Sequence, residues 1–331
     1  MGNNFFSLDF GEKYIRIADA KLSGNKLELV NFGSADTITN FFSIENQSII
    51  EKQAEIIANL ANTLKVKNKT AHVVIPDSVS YSQITQMPKL NEKELLAAIR
   101  YQADQFIPMP IEEVALDIET LYEDEKNNKL TILIVACSKK IVEQIEKTLD
   151  MAGITYETLE NELSALGRLF YENYKPKTQN FIAVINFGYT SSSIYLIDGP
   201  TSLILVPRNF KVGLNLFIKD LKVNFSIDET KALEILRTTG LENNDKYEVA
   251  SVAIPILKEI QEEVNRFNLL AKDQYNRQID RVYIYNHSPL IKDFDKKIES
   301  LISLPTQSIN LAEICNTNQF YKTHQLEVPF Y

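Results

Sequence analysis

Glycine is scarce in this 331-residue chain. There are ten, none after Gly240, about half the average share. Places where backbone can approach backbone or a ligand without a Cβ in the way are correspondingly few. Cysteine occurs twice, as Cys137 and Cys315, and in no CxxC pattern, which argues against a disulfide framework or a structural zinc site. The three histidines, His72, His287 and His324, are too dispersed for a His-based metal centre. No apolar run reaches the roughly 18 residues that a membrane span needs. The opening MGNNFFSLDF lacks the basic start of a signal peptide and the Ser or Thr of a myristoylation motif. A cytoplasmic protein with no membrane insertion of its own is expected. A net charge of -9 argues against a nucleic-acid binder, because phosphate contacts need a basic face.

What is present reads as two α/β domains, since one ordinary core does not extend to this length. FFSLDF, YIRIADA and KLELVNFG read as a three-strand meander with turns at Gly11-Glu12 and Ser23-Gly24-Asn25. A helix over 49–64 and the buried strand AHVVIP follow. SYSQITQMP reads as a strand, and Asn91 with Glu94 as a capping box for the helix NEKELLAAIRYQADQF, stopped by Pro108 and Pro110. VALDIETLY and LTILIVACS are strands around the charged hairpin EDEKNNK. A helix ending at Gly153, the strand ITYETLE and the helix NELSALGRLFYENY return the chain to the first unit. The domains expected are 1–174, with a module inserted over about 77–157, and 175–331, with helices concentrated over about 214–276. The polar KPKTQN reads as the linker.

The second half repeats the first. LDFG ends at Gly11 and INFG at Gly188, each closing the first strand of a meander, and self-similarity at so long a period implies two duplicated βββαβα-type domains. Both strands end in glycine turns, Asp9-Phe10-Gly11-Glu12-Lys13-Tyr14 and Asn186-Phe187-Gly188-Tyr189-Thr190-Ser191. Glycine lets backbone N–H groups reach phosphate oxygens, hydroxyl residues donate to them, and an acid such as Asp9 can hold Mg²⁺ through water. Tight hairpins in a duplicated fold that binds no nucleotide give the same pattern.

Several segments in order resemble the PilM family of type IV pilus assembly proteins, within the actin-like ATPase superfamily. They are SLDFGEKYIRIA, AIRYQADQFIPMPIEEVALDIETL, TILIVACSKKIVEQIEKTLDMAGI, INFGYTSSSIYLIDGP, PRNFKVGLNLFIKDL and FSIDETKALEILRTTGL. The resemblance implies an FtsA-like, actin-like fold that takes ATP and Mg²⁺ at Asp9, Gly11, Glu12, Lys13, Tyr14, Arg16, Asn186, Gly188, Tyr189, Thr190, Ser191, Gly213, Asn286, His287 and Ser288. The departures fall on that site. Asn186 stands where relatives carry Asp, Glu12 and Lys13 where they carry small hydroxyl residues, Leu233 and Leu236 where Glu and Lys face the nucleoside, and Asn286-His287-Ser288-Pro289 where a glycine pair is usual. Weak or lost nucleotide binding is expected, with the Asn286 turn kept by an Asn in the left-handed region and His287 capping it or exposed rather than stacked on a base.

The resemblance also implies a partner, the cytoplasmic N-terminal peptide of a PilN-like membrane protein, which would recruit the chain to the membrane alongside other pilus-machine components. Phe106, Ile107, Pro108, Met109 and Pro110 are expected to form a groove wall, although core packing also accounts for some of them. Self-association is open. An active ATPase or sugar-kinase-like phosphotransferase is the alternative, and it lacks a base better than Glu160 or Glu162. An FtsA-like cell-division protein is disfavoured because QLEVPFY is no amphipathic membrane helix.

Overall fold

Alternating apolar residues in FFSLDF and YIRIADA place Phe6, Leu8, Phe10, Ile15 and Ile17 on buried faces, and the computed structural model builds its first sheet around them. It describes residues 5–24, 26–101 and 107–324. The chain divides into two units, residues 1–22 with 29–166, and residues 23–28 with 167–331.

In the first unit β1 (Phe5–Phe10), β2 (Tyr14–Ser23) and β3 (Lys26–Asp36) form the antiparallel meander. After α1 (Gln47–Thr63), β4 (Thr70–Ile75) pairs in parallel with β1. The inserted segment carries β5 (Ser80–Pro88), α2 (Glu92–Tyr101), β6 (Val114–Asp124) and β7 (Lys129–Ser138), with its own antiparallel sheet of order β5-β7-β6. Leu95 and Ile99 of α2 pack on Leu130, Ile132 and Ile134 of β7. The capping box is present: Asn91 Oδ1 accepts from the Glu94 N–H at 3.0 Å and Glu94 Oε2 from the Asn91 N–H at 3.2 Å. Then come α3 (Lys139–Met151), ended by Gly153 at φ +70°, β8 (Thr155–Asn161) and α4 (Glu162–Arg168). β8 pairs in parallel with β4, and α3 packs on α1. β8 therefore completes the five-stranded sheet β3-β2-β1-β4-β8, and the inserted sheet occupies only Ser80–Ser138 within the 77–157 expected.

Two buried polar residues tie the inserted segment to the first sheet. Asp77 Oδ1 accepts from the Leu163 N–H of α4 at 3.1 Å. Asn161 accepts from the Ser164 N–H at 3.1 Å and donates to the hydroxyls of Ser80 and Ser82 at 3.1 and 2.6 Å. Glu162 starts α4 and accepts from the Asp77 N–H, which is a structural use of that carboxylate.

In the second unit β9 (Phe181–Phe187), β10 (Ser192–Asp198) and β11 (Ile204–Phe210) repeat the meander. The third strand starts later than TSLILVPR suggests, because Asp198 accepts from the Thr201 N–H and Ser202 turns at φ +61°. Next are α5 (Leu214–Phe225), α6 (Glu229–Thr238), α7 (Val249–Tyr275), β12 (Ile279–Asn286), α8 (Phe294–Ile302), β13 (Thr306–Ser308) and α9 (Gln319–His324). The sheet order is β11-β10-β9-β12-β13, with β9–β12 and β12–β13 parallel. Strand for strand this is the order of the first sheet, as the duplication requires. Every residue of β9 and β10 is buried, the mark of a sheet covered on both faces. The KPKTQN stretch belongs to this unit and is fixed to it. The Thr178 hydroxyl donates to the Asp280 carboxylate, and Asn180 Nδ2 donates to Asp280 at 2.8 Å.

Candidate functional site

The two glycine turns share one geometry. At Gly11, whose N–H donates to the Tyr14 carbonyl at 3.1 Å, a Cβ would lie 2.7 Å from that oxygen. At Gly188 it would lie 2.1 Å from the Ser191 carbonyl, again three residues on. Each glycine is required by backbone packing inside its own turn.

In the first turn Asp9 and Arg16 are ladder partners on β1 and β2, and their side chains form an ion pair. The guanidinium is buried, while the Asp9 side chain keeps about a quarter of its exposure. Asp9 Oδ1 is nonetheless buried and has no hydrogen-bond partner among the described residues. Burial pushes the Asp9 carboxyl up, and Arg16 recovers only part of that rise. Thr37, which no sequence signal singled out, braces the loop: its hydroxyl donates to the Gly11 carbonyl at 2.7 Å, and its N–H donates to the Lys13 carbonyl at 2.9 Å. Glu12 accepts from the Ser78 hydroxyl at 2.8 Å, so the loop's added acid is tied to the start of the inserted segment. The Lys13 ammonium sits 5.9 Å from the Tyr14 ring centroid and the Arg16 guanidinium 6.0 Å.

In the second turn Asn186 is 1 % exposed and accepts a hydrogen bond from Asn286 Nδ2 at 2.8 Å. Asn286 adopts the left-handed conformation expected of it, at φ +72°. His287 is not an exposed cap: it is buried, its N–H donates to the Phe187 carbonyl at 3.0 Å, and its ring lies 6.1 Å from that of Tyr189. The strand-end pairing of β12 with β9 draws the turn inward and covers the ring. Ser288 is buried too, and its Oγ has no partner among the described residues. Gly213 precedes α5 with extended backbone, where a Cβ would meet the Tyr189 carbonyl at 2.3 Å. The first two amides of α5 are consumed locally, Leu214 donating to the Gly188 carbonyl at 3.0 Å and Asn215 to the Tyr189 carbonyl at 2.9 Å. Thr190 is exposed and Ser191 half-buried. Leu236 is wholly buried, and Leu233 is partly so.

These residues fit a magnesium nucleotide unevenly. Asp9 offers one open acceptor, already beside its own cation. The second turn has no carboxylate, and its amide is committed to Asn286. No cluster of three or more His, Cys, Asp or Glu able to hold a metal occurs among the described residues. The second turn therefore does not fit Mg²⁺-nucleotide.

Of the expected groove residues, Phe106 lies outside the described residues. Ile107 is core, packed with Val114 and Ala136; Met109 is half-buried against the same cluster, and Pro108 and Pro110 are exposed.

A family model described as type IV pilus assembly protein PilM matches residues 7–329. The chain belongs to the PilM family. A solved structure described as the PilM-PilN type IV pilus biogenesis complex is similar at 19% identity, over 100% of this chain and 96% of that one, with a TM-score of 0.82. The ethanolamine utilization protein EutJ from Carboxydothermus hydrogenoformans is similar at 11% identity, over 92% and 83% of the two chains, with a TM-score of 0.54. This member of the family thus has the actin-like ATPase fold, two duplicated α/β units with an extra sheet in the first. Among the described residues no helix is long and apolar enough to cross a membrane.

Proposed function

We propose that this PilM-family chain is a scaffold of the type IV pilus assembly machine. Its first unit takes the cytoplasmic N-terminal peptide of a PilN-like membrane protein, and through that peptide the chain is recruited to the inner face of the membrane beside other pilus-machine components. The observation that carries this reading is the family match over residues 7–329, with a likeness to the solved PilM-PilN complex along the whole chain. The inserted sheet supplies one wall for that peptide. Pro108 and Pro110 hold the half-buried Met109 at its rim, while Ile107 anchors the turn from below. A groove fixed in this way leaves the ordering cost to the peptide alone.

ATP and Mg²⁺ are held weakly and turned over very slowly or not at all. Glu162, a candidate base for phosphotransfer, is committed to the Asp77 N–H, and the second turn carries no acid. A fluorescence titration with the N-terminal peptide of a PilN-like protein tests the reading. Micromolar binding, about 8 kcal/mol, is expected. The scaffold reading is overturned if neither the peptide nor the intact membrane partner binds at tens of micromolar, about 6 kcal/mol.

A further inference from the structure

Asn286 ends β12, Asn186 is the last residue but one of the neighbouring parallel β9, and both are buried. Their side chains meet in a 2.8 Å hydrogen bond, with Asn286 donating. The left-handed backbone at Asn286 turns the chain at the strand end, and the His287 N–H then fastens to Phe187. The buried His287 ring lies beside that of Tyr189, the residue after Gly188. On the other side of the turn, the carbonyls of Gly188 and Tyr189 take the first amides of α5. The turn is thus held on both sides by groups of its own unit.

We propose that the Asn186–Asn286 pair is an internal replacement for ligand at the second turn. It holds the Gly188 loop in its working geometry with no nucleotide present. The inference rests on the scaffold reading and deepens it, because such a scaffold is insensitive to cellular nucleotide levels. A nucleoside di- or triphosphate entering here has to break a buried amide hydrogen bond and bring its cation to a place without a carboxylate, and both steps are costly. A ligand that gains nothing over the existing contacts shifts no equilibrium.

The test uses the full chain, millimolar Mg-ADP, thermal midpoints and amide hydrogen exchange. For the unaltered chain the midpoint should move by less than ~1 °C, since stabilisation by a ligand follows its occupancy, and exchange at residues 188–191 should stay unchanged. Asn286→Gly suits the positive φ, so the fold should persist while exchange in that turn quickens. Adding Asn186→Asp supplies the missing carboxylate, and the double variant should bind Mg-ADP at least ~10-fold tighter than the unaltered chain, the equivalent of about 1.4 kcal/mol. A midpoint rise of several degrees in the unaltered chain overturns the proposal whatever the variants do. A folded double variant that binds no tighter overturns it as well. Peptide titrations run in parallel separate the two ideas. Peptide binding with nucleotide-sensitive exchange leaves the scaffold standing and removes the lock, whereas a chain that binds neither ligand loses the scaffold alone.

Discussion

Gly188 and Ser191 approach so closely that a Cβ on the glycine would lie 2.1 Å from the Ser191 carbonyl oxygen. The obstacle is backbone and cannot swing aside. Gly188→Ala should therefore destabilise the chain by about 3 kcal/mol, the upper end of overpacking costs. Gly11→Ala, facing the Tyr14 oxygen at 2.7 Å, should cost about 1–2 kcal/mol on the same scale. Urea midpoints of the two variants check the ranking. Equal and negligible losses would mean that the turns open freely.

The reciprocal bonds of Asn91 and Glu94 close the first turn of α2. Asn91→Ala should lower stability by about 1 kcal/mol, as for other N-caps, while Asn91→Asp should be nearly neutral. Denaturant unfolding followed by circular dichroism reads both. A neutral Asn91→Ala would show that α2 is held by Leu95 and Ile99 alone.

Ile107 and Met109 sit two residues apart with different burial. Met109→Asp should weaken peptide binding and leave the thermal midpoint nearly unchanged. Ile107→Ala should cost about 2–4 kcal/mol of stability, as large-to-small core substitutions do. Calorimetry alongside the peptide titration separates them, and a collapse of folding in Met109→Asp would place that side chain in the core.

Both thiols are buried, and burial pushes the Cys137 thiol up to about 11. Below pH 9 folded and unfolded chains alike keep this proton, and its contribution to stability is fully present. As the pH rises toward about 11 the unfolded chain releases the proton while the folded one retains it, so stability is lost through that window. Native protein at pH 8 should react slowly with iodoacetamide at Cys137 and Cys315 and rapidly once unfolded. Fast native labelling of Cys137 would contradict its placement.

The meanders, helices and duplication were legible because each rests on a local period, and because LDFG and INFG give two readings of one turn. The capping box and the positive φ at Asn286 were legible for a similar reason: short-range chemistry decides them. What stayed hidden is non-local. The return of ITYETLE to the first unit is legible, but nothing near Thr155 names β4 as its partner or sets the register. Thr37 and Ser78 reach the first loop from 26 and 66 residues away, and no spacing rule connects them. His287 has the surroundings of an exposed turn residue and is buried because its strand end is drawn against β9. KPKTQN has linker composition, yet Asp280, distant in sequence, fixes it in place.

The second sheet ends on β11, which contains Pro207, and on β13, three residues long. Proline lacks the N–H that a new neighbour would need, and a three-residue strand offers little to pair with. While many copies of the chain emerge close together on one messenger, this half can finish its sheet without offering neighbouring nascent chains a template. Crowded synthesis should therefore yield folded second units rather than strand-exchanged ones.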